Sequence, residues 1–251
     1  CKVISIGNIT MGGSGKTPMA IYLAEKFKAR GKKVVILSRG YKGKIKDIGV
    51  VSDCENILLG PDEAGDEPYL MAVRLKTIPV IVAKNRYQAG CYAIEKFHAD
   101  IIILDDGFQH IKLHRDIDLL LVDSRRGFSN GHLFPLGVLR ESITGLKRAS
   151  LVMIKGGHTS VNTAIAKFGH QLPAIRFLSN SPVIFFSYRS QDIINLADNT
   201  TLTIDILKEK KVAALSGIAD PKSFKNTLEN LGALVQKEVV FPDHYSYTHK
   251  D

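Results

Sequence analysis

The sequence predicts an α/β fold: a parallel sheet with helices on both faces, followed by a short β-hairpin linker and a second, incomplete α/β domain. Short apolar, β-branched runs alternate with stretches of helical spacing through residue 154. A glycine-rich turn joins the first such run to the first helical stretch, and the alternation loosens past residue 174.

Residues 3–6 read as a buried strand, residues 18–27 as a helix stopped by Gly31, and residues 33–37 as a second strand. A strand, helix and strand in that order form a crossover unit, which places the two strands parallel. Further strands are expected at 79–83, 101–104, 119–122 and 151–154, with helices at 67–75, 90–97 and 161–168. Residues 174–177 and 183–188 look extended, and Ser179-Asn180-Ser181-Pro182 between them reads as the turn of a hairpin. Beyond the polar stretch 197–200, a strand at 212–215, a helix at 221–231 and a third element at 234–241 open another α/β unit. The expected boundaries are a first domain at 1–174, a linker at 175–204 and the start of a second domain at 205–251.

Composition narrows the function classes. Of 251 residues, 45% are hydrophobic and 24% charged, which excludes a disordered, collagenous or disulfide-stapled chain. Lys and Arg number 34 against 25 Asp and Glu, a net charge of +9 that favours an anionic partner. Cys1, Cys54 and Cys91 are too far apart for a zinc knuckle or a disulfide framework, and a reducing compartment fits. The apolar runs 101–104 and 119–122 fall far short of the roughly 18 residues that a membrane-spanning helix needs. A strand starting directly after Cys1 suggests a piece of a longer chain, and fits that better than a lipidated cysteine, whose tether normally precedes a flexible spacer.

The strongest local signal is Gly12-Gly13-Ser14-Gly15-Lys16-Thr17, set between a strand and a helix as a phosphate-binding P-loop requires. Glycines let successive N–H groups converge on phosphate oxygens, and the helix N-terminus adds its positive end. Lys16 reaches the β- and γ-phosphates and the Thr17 hydroxyl is placed to ligand Mg²⁺. Thr10 stands where the first glycine of G-x-x-x-x-G-K-[ST] is expected, a departure from the pattern. Asp105 and Asp106 end an apolar strand, the arrangement that orients Mg²⁺ beside phosphates in P-loop proteins. The GTPase string N-K-x-D is missing; the nearest, Ala83-Lys84-Asn85-Arg86, does not fit. Met11 stands where partition-type ATPases carry a lysine. By themselves, Gly65-Asp66-Glu67-Pro68 reads as a helix start and Phe241-Pro242-Asp243-His244-Tyr245 as a turn.

Taken together, the ordered motifs resemble the tetraacyldisaccharide 4'-kinase (lipid A 4'-kinase) family of Gram-negative bacteria. They are GNITMGGSGKTP at 7–18, ILSRGYK at 36–42, AGDEPYLMA at 64–72, NRYQAG at 85–90, ILDDGFQH at 103–110, LHRDIDLLLVD at 113–123, LFPLGVLRE at 133–141, SGIADPKSF at 216–224 and FPDHYSYT at 241–248. The family also lacks the first P-loop glycine. The resemblance implies transfer of the ATP γ-phosphoryl group to the 4'-hydroxyl of a tetraacyl glucosamine disaccharide 1-phosphate, giving lipid IVA, with ATP and Mg²⁺ as cofactors and no nucleic-acid partner.

On that basis Asp66 is the expected base and His244 its support after domain closure, with Lys16 completing the catalytic set. Thr17, Glu67, Asp105 and Asp106 are the expected metal-sphere or orienting groups. Tyr41, Arg86, His110 and Arg140 match polar residues near substrate and phosphates. The resemblance also implies a peripheral enzyme on the cytoplasmic face of the inner membrane, docked through a hydrophobic N-terminal segment outside these 251 residues. The competing reading is a P-loop ATPase acting as a partner-assembly switch.

Overall fold

Strand β1 (Lys2–Gly7) runs parallel between β5 (Ile101–Asp105) and β6 (Ile117–Asp123). The structure, a computed structural model, describes residues 1–156, 169–198, 200–243, 245 and 247. The helix expected at 161–168 lies outside the described residues, as does His244. Two compact units are present: Cys1–Lys155 with Ala164–Phe185, and Gly156–Thr163 with Phe186–Asp251.

The first unit carries an eight-stranded sheet in the order β3-β4-β2-β5-β1-β6-β7-β8. Here β2 is Val34–Ser38, β3 Ile48–Ser52, β4 Val80–Ala83, β7 Leu151–Lys155 and β8 Val183–Phe186. Every residue of β2, β4 and β5 is buried, the mark of strands covered on both faces. Val35, Leu37, Ile81, Ala83, Ile102 and Leu104 pack with Ala89 and Ala93 of α4 (Arg86–Phe97). Alternate residues face the other way. There α1 (Lys16–Ala29) and α3 (Asp66–Leu75) lie against β2, β4, β5 and each other. Each fully buried Ile or Leu contributes about 1.5–3 kcal/mol, so this two-sided burial outweighs local preferences in fixing the sheet.

In the first unit, one strand and one α-helix were not foreseen. Strand β3 pairs antiparallel with β4 at the sheet edge, its short run being interrupted by Gly49. The single-turn helix α2 (Pro61–Ala64) directly precedes α3. A third expectation is corrected: residues 174–177 are not extended but belong to helix α5 (Leu172–Leu178). Ile175 is fully buried in a cluster with Ile9, Phe108, Leu120, Val152 and Ile154, and a helix delivers it there. Val152 N–H donates to Pro182 O and Gly156 N–H to Phe186 O, so β8 runs alongside β7 in the same direction. Residues 174–188 therefore form part of a crossover onto the sheet edge rather than a hairpin.

In the second unit, β9 (Asp192–Ile194) and β10 (Thr201–Thr203) form an antiparallel pair, so the hairpin falls later than expected. Strands β11 (Lys211–Ser216) and β12 (Leu234–Val240) pair in parallel across helix α6 (Pro221–Asn230). Asp220 caps α6 by accepting from Ser223 N–H at 3.1 Å. No helix among the described residues is long and apolar enough to cross a membrane.

Candidate active site

Because β1, β2, β4 and β5 are parallel, their carboxyl ends open onto one edge of the sheet, where ligands bind in folds of this kind. Each end delivers part of the site: the glycine-rich turn after β1, Arg39 and Tyr41 after β2, Arg86 after β4, and Asp105 and Asp106 at the end of β5.

The glycine-rich turn has the backbone that its residues demand. Gly12 has φ +94° and Gly15, the N-cap of α1, has φ +86° and ψ +28°, a left-handed conformation open chiefly to glycine. The first turn of α1 carries no acidic residue to offset its positive end. Thr10 pairs in an antiparallel bridge with Leu139, and Met11 N–H donates to Val138 O. The position where a first glycine is usual is thus extended backbone docked on a neighbouring segment, and a β-branched residue suits it.

Lys16 Nζ lies 3.5 Å from Asp106 Oδ1 and donates to Asn8 Oδ1 at 3.4 Å. Arg140 Nη1 contacts both Asp106 oxygens, at 2.8 and 3.0 Å. Burial pushes the Asp106 carboxyl up, but Lys16 and Arg140 more than offset it and hold it below the usual range. Thr17 Oγ1 donates to Asp105 Oδ2 at 3.5 Å. Asp105 is 1% exposed, and its Oδ1 is buried with no hydrogen-bond partner. Burial first, then repulsion from Glu67, raises its pKa to about 7, against the pull of Lys16.

Arg86 opens α4 behind Asn85, whose Oδ1 caps the helix by accepting from the N–H groups of Tyr87 and Gln88. Arg86 is 3% exposed and donates to Ala83 O. Burial lowers its pKa to about 10, Asp105 opposing the shift and Arg39 adding to it. His110 is likewise lowered, by burial and then by Arg86 and Arg115. Asp66 and Glu67 are the first two residues of α3. Gly65, with φ +93° and ψ +156°, brings their loop so close to Tyr41 that a Cβ there would stand 2.5 Å from the Tyr41 carbonyl oxygen. Lys44 N–H donates to Glu63 O at 2.9 Å, lacing the same two loops together.

The fold thus gathers Lys16, Thr17, Asp105, Asp106 and Arg140 into direct contact, couples Glu67 and Arg86 to Asp105 electrostatically, and sets His110 within reach of the Arg86 charge. Several site neighbours escaped the sequence reading. Asn8 is fully buried and accepts from Lys16. Gln109 donates from Nε2 to Asn8 O and to Glu141 Oε1, and Glu141 in turn accepts twice from Arg148. Asn8 and Gln109 sit inside the quoted motifs, which is the one signal that pointed to them. Among the described residues, no three His, Cys, Asp or Glu side chains converge as a metal cage. Magnesium needs no such cage, since it is held by one or two protein oxygens plus phosphates. The hard oxygens of Thr17 and Asp105 fit that demand, the orphaned Asp105 Oδ1 above all.

Comparison with known proteins matches residues 1–251 to the family described as Tetraacyldisaccharide-1-P 4'-kinase, LpxK. A Desulfatibacillum aliphaticivorans protein named tetraacyldisaccharide 4'-kinase is 43% identical over 252 residues, covering all of this chain and 68% of that protein. The like-named Aquifex aeolicus protein is 39% identical over 98% of this chain and 72% of its own length. The crystal structure of an "apo" form of Aquifex aeolicus LpxK in complex with ATP superposes with a TM-score of 0.77 at 39% identity, over 99% of this chain and 73% of that one. With the motif order, the sheet and the whole-length match in agreement, the chain belongs to the tetraacyldisaccharide-1-phosphate 4'-kinase family.

Proposed function

We propose that this protein transfers the γ-phosphoryl group of ATP to the 4'-hydroxyl of a tetraacyl glucosamine disaccharide 1-phosphate, giving lipid IVA and ADP. The observation that carries the reading is the meeting of Lys16 and Thr17 of the glycine-rich turn with Asp106 and Asp105 of β5, in a chain that matches this kinase family throughout. The turn and the N-terminus of α1 cradle the phosphates, and Lys16 neutralises charge that gathers on the bridging and γ-oxygens. The sugar oxygen attacks the γ-phosphorus, the bond to the β,γ-bridging oxygen breaks, and the hydroxyl proton passes to the Asp66 carboxylate. His244, outside the described residues, keeps the supporting role that the family resemblance implies.

Thr17 and Asp105 would hold Mg²⁺, which would supply alignment and charge neutralisation of the phosphates, and Glu67 would add an orienting carboxylate. This division of the two aspartates is supported by their partners: Asp106 is engaged by Lys16 and Arg140, whereas Asp105 keeps an unpaired oxygen. Arg86, His110, Arg140 and Tyr41 supply the polar rim that holds phosphate and sugar oxygens. The acylated acceptor requires work at a lipid surface, so the enzyme acts as a peripheral protein on the cytoplasmic face of the inner membrane. The alternative of a partner-assembly ATPase is not favoured, since the relatives carry the kinase name. Incubating the intact protein with labelled ATP and the tetraacyl disaccharide 1-phosphate in detergent should yield labelled lipid. Hydrolysis of ATP with no lipid product would overturn the assignment.

A further inference from the structure

We propose that the loop at residues 133–136, beside the glycine-rich turn, is a membrane-docking element that seats its apolar side chains in the interfacial layer of an anionic bilayer. Leu133, Phe134 and Leu136 are 51%, 67% and 81% exposed, and Met11 of the adjoining turn is 45% exposed. Four large apolar side chains held outward in one small region are costly in water, and such clusters mark interaction surfaces.

The loop is built rather than loose. Leu139 is buried in the core, and its backbone pairs with both Thr10 and Leu133. Phe134 N–H donates to Leu139 O, Gly137 N–H to Leu133 O and Leu139 N–H to His132 O. The Asn130 side chain donates to Leu136 O and accepts from His132 N–H, while Pro135 has no N–H to satisfy. The backbone polar groups of the tip are therefore largely satisfied within the protein, which is the condition for entering a poorly hydrated layer.

Charge selects the occupant. The chain carries a net charge of +9; within and beside the loop, Arg125 pairs with Asp123 and Arg140 with Asp106, and no acidic residue lies between 124 and 140. An apolar tip on a chain of net positive charge fits an anionic lipid surface, where the tip enters the acyl boundary and the overall charge of the chain favours anionic headgroups. Backbone contact between Met11 and Val138 places this element at the rim of the phosphate site. A docked loop would thus hold the reacting end of the site at the level of a bilayer-embedded sugar. This inference rests on the reading of the acceptor as an acylated sugar.

The chain contains no tryptophan, so Leu136→Trp introduces a single reporter, with Tyr22→Trp on α1 as reference. Mixed phosphatidylethanolamine and phosphatidylglycerol vesicles should shift the Leu136→Trp emission to the blue, and brominated lipid should quench it, with the reference unchanged. Phe134→Ser/Leu136→Ser should weaken vesicle partitioning at least ~10-fold and lower turnover of vesicle-embedded acceptor. Turnover of detergent-dispersed acceptor and the melting temperature should hold. Unshifted emission from vesicle-bound protein, partitioning equal to the unaltered protein, or a shift elicited by a soluble protein but not by vesicles would each overturn the proposal. Loop immersion in a protein that phosphorylates no acyl sugar would leave the docking in place and remove the assigned substrate instead.

Discussion

Thr17 Oγ1 and Asp105 Oδ2 stand 3.5 Å apart, tying the first turn of α1 to the end of β5 while the other Asp105 oxygen lies buried and unpaired. A carboxyl with its pKa raised to about 7 binds its proton more tightly in the folded than in the unfolded chain. Its contribution is therefore greatest at low pH and falls as pH rises from about 4 to about 7, at most about 1.4 kcal/mol per pH unit for one proton. Thermal melts of the nucleotide-free protein should show this decline, and Asp105→Asn should flatten it. On the proposed reading magnesium nucleotide requires the carboxylate, so its stabilising effect should grow over the same window in the unaltered protein but not in the variant. Parallel pH curves for the two proteins would remove Asp105 from this role.

Lys16 and Asp66 should fail differently. On the proposed reading Lys16→Ala removes the cation that meets the transferring phosphates, and it should lower kcat by about 100-fold or more, with weaker ATP binding. Asp66→Ala should lower kcat by at least ~100-fold, the order lost with a general base, with ATP binding largely kept. Nucleotide titration alongside steady-state turnover separates the two, and near-normal turnover of Asp66→Ala would exclude it as the base.

Gly65 offers a test that touches no reacting group. Its backbone, at φ +93° and ψ +156°, lies in a region essentially reserved for glycine, and a Cβ would press on the Tyr41 carbonyl oxygen. Gly65→Ala should cost about 1–3 kcal/mol of stability and lower kcat by displacing Asp66. Denaturant unfolding and turnover measured together check this, and unchanged values in both would show that the two loops tolerate separation.

Asp123 is a structural counterpart. It closes β6, accepts from Arg125 at 2.9 and 3.1 Å, and lies 3.1 Å from Lys155 Nζ. Burial pushes its carboxyl up, but Arg125 and Lys155 bring it down to about 2. The stabilisation is therefore present above about pH 4 and is lost as pH falls through about 2. Asp123→Asn should destabilise the protein by about 1–3 kcal/mol near neutrality, with the gap closing in acid. A gap that persists at low pH would mean that packing, not charge, makes the difference.

The strands at 3–6, 101–104 and 119–122 and the helices bounded by Gly31 and Pro221 were legible because burial on both faces, capping and turn chemistry leave local marks. Strand β3 was not, since an edge strand broken by Gly49 carries little apolar signal. Nor was α5: Leu172–Leu178 has mixed local preference, and the demand that Ile175 enter the core decides its conformation. Thr10 looked like a flaw in the P-loop until its bridge to Leu139 gave it an extended partner.

The sequence by itself determined the α/β class, the glycine-rich turn between strand and helix and the family resemblance, because these depend on residue types at short, fixed spacings. Only the tertiary structure decided that Arg140 grips Asp106, that Asp105 is left with an unpaired oxygen, and that Asn8 and Gln109 join the site. Those relations link residues up to 101 positions apart. They follow from parallel strands delivering distant carboxyl ends to one edge, where burial and neighbouring charge set what each side chain can do.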